Sequence, residues 1–127
     1  MPPIRSALLL IALCALAACG EPRWLPLAGD DIHSLMFGNT AEGTDAGGAK
    51  WTLSIASDGK AVLESAKRGG TGTAAIDGDT ICLQLKGMPD GQPDCDTVYA
   101  SDDGHDYRVY TPDQKLVARF SIHPGNL

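Results

Sequence analysis

The chain has 127 residues, 43% of them hydrophobic, with ten Lys and Arg against sixteen Asp and Glu for a formal net charge of −6. A length of this order supports one buried core and not two. The acidic balance excludes nucleic acid as an expected partner, and it equally excludes a polybasic hold on anionic head groups.

After the single charge of Arg5, residues 7–16 form an apolar run. Its length of about ten residues suits the hydrophobic region of a signal peptide and is too short for a helix that crosses a bilayer. The run closes on Leu16-Ala17-Ala18-Cys19, which resembles the bacterial lipobox. That resemblance implies that the thiol of Cys19 receives diacylglycerol, that the chain is cut before it, and that the new amine is acylated. Two or more acyl chains, at roughly 0.8 kcal/mol per buried CH2, give a lasting anchor. An ordinary secretory signal, cut after Ala17 in Ala15-Leu16-Ala17, is the alternative. On the lipobox reading, residues 1–18 are a signal peptide, 19–27 the lipidated cysteine with a short tether, and 28–127 a single β domain. Gly20, rather than Asp, after the cysteine resembles lipoproteins sent on to the outer membrane, implying a place on its periplasmic face. The membrane contact is then the lipid itself.

Of the four cysteines, Cys14 falls in the signal and Cys19 takes the lipid. Cys82 and Cys95 remain, and in an oxidising compartment they are expected to pair. Two free thiols are the alternative, and the absence of C-x-x-C spacing speaks against a catalytic dithiol.

Trp24-Leu25-Pro26-Leu27 opens the fold as an extended piece expected to pack under the domain. Gly29 to Gly38 reads as one short helix, with Asp30 as its cap, Ile32, Leu35 and Met36 on one face and Gly38 at its end. Residues 39–50, rich in Gly and Thr, read as a mobile loop. The period then changes to two. Trp51, Leu53 and Ile55 alternate with polar residues, Ser57-Asp58-Gly59-Lys60 makes a hairpin turn, and a left-handed Gly59 places Leu63 on the face of Ile55. Strands follow at 71–76, 80–85, 95–100, 106–111 and 115–122. Ile81, Leu83 and Leu85 share one face, as do Leu116, Ala118, Phe120 and Ile122. Together these predict a mainly β fold, an antiparallel meander of six or seven strands curling into a small barrel or half-barrel, with one short helix closing an end.

Gly38-Asn39-Thr40, Asp58-Gly59, Gly72-Thr73-Ala74, Gly78-Asp79-Thr80-Ile81-Cys82, Cys95 and Gly125-Asn126 resemble the outline of a loosely defined set of small exported bacterial proteins. The resemblance spans most of the mature chain and implies the β fold and the disulfide. It implies no mechanism, and Ala74 stands where that outline has Trp.

Few residues argue for chemistry. Gly69-Gly70-Thr71-Gly72-Thr73 leads into a strand and not a helix, so it lacks the context of a phosphate loop. Asp77, Asp79, Asp90, Asp94, Asp96, Asp102, Asp103 and Asp106 miss the calcium-loop spacing and read as turn formers. His33, His105 and His123 carry no zinc spacing, and no metal or other cofactor is expected. Tyr99, Tyr107 and Tyr110 read as half-buried packing. No catalytic residue stands out, so the expectation is a non-enzyme. It is a lipid-anchored envelope protein with a binding or structural role, its partner another envelope protein. A periplasmic inhibitor of cell-wall hydrolases, of the lysozyme-inhibitor type, shares the architecture but not its Ser-Gly-Ala-x-Tyr-like signature. The third reading is a small-ligand carrier or enzyme with its site inside the barrel. A polar cavity would favour it and a filled apolar interior would count against it.

Overall fold

A computed structural model describes residues 23–67, 69–87 and 92–125. In chain order the elements are β1 (Trp24–Pro26), helix α1 (Gly29–Met36), β2 (Asn39–Asp45), β3 (Lys50–Ile55), β4 (Lys60–Ser65), β5 (Gly70–Asp77), β6 (Thr80–Leu85), β7 (Asp94–Ser101), β8 (Tyr107–Tyr110) and β9 (Leu116–Pro124). Each strand from β2 to β9 pairs antiparallel with the next, and β9 returns to β2 from Asn39↔Pro124 to Asp45↔Ala118. The result is a closed, eight-stranded, up-and-down barrel with one strand added outside it. That strand, β1, pairs with Tyr99–Ser101 of β7, beyond the Asp94–Asp96 stretch that pairs with β6.

The barrel thus holds more strands than the six or seven expected. The main reason is residues 39–45, which form strand β2 where a mobile loop was expected. Small residues here answer a packing demand, because β2 is the strand that closes the ring. A Cβ on Gly43 would lie 1.8 Å from the Arg119 carbonyl oxygen, so β2 and β9 meet only because no side chain stands between them. Gly72 serves the same purpose on β5, with the Gln84 carbonyl oxygen 1.9 Å from its missing Cβ. Both glycines mark close approach of neighbouring backbones.

The hairpin turn at Gly59 is left-handed as expected, at φ 94°, and Leu63 pairs with Leu53 on the inward face. Small and large residues alternate around the interior, Ala41 beside Leu53 and Ala118 beside Val109, which is how a narrow barrel accommodates its taper. Ile32, Ile55 and Val98 are fully buried. One expected row breaks: a register shift at Val109/Tyr110 pairs Leu116 with the outward Tyr110.

Helix α1 closes the end bounded by the β3–β4 and β5–β6 turns, packing on β2, β5 and β6. Its cap differs from expectation. Asp30 lies inside the first turn, and Ala28 at the cap position offers no side-chain bond. The Gly29 N–H instead donates to Asp79 Oδ1 at 2.9 Å, from the β5–β6 turn fifty residues away. Beyond the helix, Gly38 N–H donates to the Ile55 carbonyl at 2.7 Å, seating the plug on β3.

Candidate functional site

The helix fills one end of the barrel and leaves the other open. An eight-stranded ring is just wide enough either to be filled by its own side chains or to hold one small ligand. Here it encloses a cavity of about 410 Å³, within the size range of small-molecule sites. Met36 of α1 lies at its floor, Leu53, Leu83, Val98 and Phe120 form its walls, and Trp51 lines it higher on β3. The aromatic side is rigid: Trp51 and Phe120 lie 5.9 Å apart between ring centroids, and Tyr107 stacks on Phe120 at 5.2 Å. Trp51 Nε1 is buried without a hydrogen-bond partner. The β9 irregularity brings Val117 to the cavity beside Ala118.

Charged groups gather where the cavity opens. At the end of β2, Asp45 Oδ1 accepts the N–H groups of Gly47 and Ala49, both at 2.9 Å. Its Oδ2 lies 3.2 Å from Lys67 Nζ. The Ala49 N–H above all, helped by Lys67, holds this carboxyl below the usual aspartate range. Across the opening, Asp94 and Asp96 line the cavity from β7, on the same inward alternation as Val98. Asp96 is half-buried. Burial first, and then the neighbouring Asp94 charge, pushes its carboxyl up from the ordinary value. Among the described residues Asp96 has no ion-pair partner.

Of the residues singled out from sequence, Cys14 and Cys19 lie outside the described residues, as does Asp90. Cys82 and Cys95 are joined, directly opposite each other on β6 and β7 with Cα atoms 4.0 Å apart. They face outward and staple the connection at the barrel mouth. The remaining aspartates separate. Asp77, Asp79, Asp102, Asp103 and Asp106 lie at the helix end, where Asp79 caps α1 and Asp103 accepts from the Ser101 hydroxyl and the His105 N–H, while Asp94 and Asp96 lie at the open end. The three histidines stay apart: His33 stacks on Phe37 at 4.2 Å, His105 sits in the β7–β8 turn, and His123 meets Glu42 at 2.8 Å. No group of three metal-ligating side chains occurs among the described residues. Tyr99 and Tyr110 pack edge to face on the outside, whereas Tyr107 turns inward.

In the sequence Asp96 reads as one of the turn carboxylates. Its alternation with Val98 within one strand was the available signal, a carboxylate on an apolar face. Comparison with known proteins supplies no relative: no family model, no curated protein and no solved structure matches the chain.

Proposed function

We propose that this is a lipid-anchored envelope protein whose barrel binds a small, largely apolar molecule with a positively charged or hydrogen-bond-donating end. The observation that carries the binding role is the cavity of about 410 Å³ between Met36 and the open mouth, apolar along its walls and acidic at its rim. A preformed apolar cleft with a few oriented polar groups is the usual form of a small-molecule site. Asp96 supplies the orienting group, since an incoming cation or donor would relieve a carboxylate held half-buried beside another. The reading is of a carrier or sensor and not of an enzyme. The lipobox-like Leu16-Ala17-Ala18-Cys19 supports the anchor and an envelope location. The hydrolase-inhibitor alternative would need a polar loop that enters an active-site cleft, and it gains no supporting observation.

Binding of the apolar fluorophore N-phenyl-1-naphthylamine, read by its emission, tests the cavity. The expected result is one saturable site, with Ala118→Phe weakening it at least tenfold while the Tm stays within a few degrees. Undiminished binding to a folded Ala118→Phe protein would place the probe elsewhere and remove the proposal. The anchor is tested separately by the intact mass of membrane-extracted protein, which should fit residues 19–127 plus acyl chains.

A further inference from the structure

We infer that the outer wall of the barrel carries a second site, one that takes a phosphate group between Arg108 and Arg119. These two side chains are direct cross-strand partners on β8 and β9. Like charges placed opposite each other destabilise a strand pair unless something lies between them. Yet neither guanidinium is ion-paired to a carboxylate among the described residues, in a chain with sixteen Asp and Glu.

Arg108 is also held in place. Its guanidinium carbon lies 4.0 Å from the centre of the Trp24 ring, a cation–π contact that restrains the head group. Its Nη1 makes only a long contact of 3.5 Å to the Tyr110 hydroxyl, and its Nε is buried with no acceptor. An arginine oriented in this way, with donors unspent, is prepared for an oxyanion. Arg119 is exposed, and a groove of about 440 Å³ runs along both residues, with Thr44 and Ser121 adding hydroxyl groups. Asp106 and Glu42 also line it, but Glu42 is engaged by His123 Nε2 at 2.8 Å.

The geometry favours phosphate over carboxylate. A carboxylate has two oxygens, and one guanidinium fork satisfies both. Free phosphate or a phosphomonoester, with at least about three terminal oxygens, can accept from two forks and a hydroxyl together. The group could belong to free phosphate or to a phosphomonoester lipid head group, the latter resting on the proposed lipid anchor, since β1, which supplies Trp24, follows Cys19 closely in the sequence.

The test is a titration of the purified protein with inorganic phosphate at constant ionic strength, read by NMR at the arginine Nε–H signals, with acetate and chloride as controls. Phosphate should give saturable shifts at Arg108 and Arg119. Arg119→Gln should raise the apparent Kd at least tenfold, Arg119→Lys should give a smaller loss, and Lys60→Gln, at an exposed cation elsewhere, should change nothing. A second arm uses vesicles containing phosphatidic acid, whose head group is a phosphomonoester, against phosphatidylcholine. Arg119-dependent binding to the anionic vesicles assigns the site to a head group, whereas saturation by phosphate without vesicle binding assigns it to a soluble phosphate. Equal shifts with acetate, or phosphate affinity unchanged in Arg119→Gln, would overturn the inference. Failure of the cavity variant Ala118→Phe to alter fluorophore binding would leave this site untouched.

Discussion

Lys67 Nζ lies 3.2 Å from Asp45 Oδ2, a bridge that ties the β4–β5 connection to the end of β2 across the intervening β3. The other oxygen of the same carboxylate organises the β2–β3 turn through Gly47 and Ala49. One side chain therefore shapes the β2–β3 turn and ties it to the β4–β5 connection at the mouth. Because its folded pKa is lowered, Asp45 contributes stability above its ordinary pKa of 3.8 and loses it as pH falls through the still lower folded value. Asp45→Asn should lower the Tm at pH 7, and the gap between variant and parent should close in strong acid. Thermal melts across that pH range check both halves.

Asp96 should behave with the opposite sign. Its folded pKa is raised by burial and by Asp94, so its contribution is fully present below 3.8 and is lost as pH rises through the folded value. Asp96→Asn is expected to raise the Tm at pH 7 and leave it unchanged near pH 3. The same substitution should weaken binding of an apolar amine in the cavity more than binding of its neutral analogue. A lower Tm at pH 7 would show that the carboxylate serves folding and not a ligand.

Gly43→Ala should strain the seam of the barrel, because the new methyl would meet the Arg119 carbonyl at 1.8 Å and its neighbour atoms at 2.8 Å. We expect a loss of about 3 kcal/mol, at the upper end of overpacking costs, in urea unfolding. Gly47→Ala is the matched control. Its nearest neighbours lie at 3.5 Å, and its effect should stay within about 0.5 kcal/mol.

The disulfide closes a segment with a sequence separation of 13. Replacing both Cys82 and Cys95 by Ala should cost about 3 kcal/mol on the chain-entropy account, read as a lower urea midpoint. The hairpin itself should persist, since Ile81↔Asp96 and Leu83↔Asp94 flank the bridge in register. Circular dichroism of the double variant checks that the barrel survives.

Residues whose pattern repeats locally could be read directly. Trp51, Leu53 and Ile55, the Asp58-Gly59 turn, and Ile81, Leu83 and Leu85 each announce a strand or turn within a few positions. What escaped depends on partners far away in the chain. β2 reads as a loop because its small residues make sense only against β9, and the cap of α1 comes from Asp79, which no window around Gly29 contains. β1 escaped for the same reason. Pro26 and the exposed Leu25, 58% accessible, do not look like a strand until the overhanging end of β7 is there to receive them. The cavity was equally invisible, because the inward rows define its lining but not whether their volumes fill the ring. Alternation alone could have shown that Asp96 faces inward.

Closing the ring also bears on crowding. A protein tethered to a surface meets its own copies at an effective concentration far above that in solution, and open strand edges are then sites of irreversible pairing. Here the one strand outside the ring among the described residues is β1, three residues long and ending at Pro26, which has no N–H to offer a neighbour. If the proposed lipid anchor at Cys19 holds, many copies could therefore stand side by side on a membrane, each with its mouth open, without templating one another into aggregates.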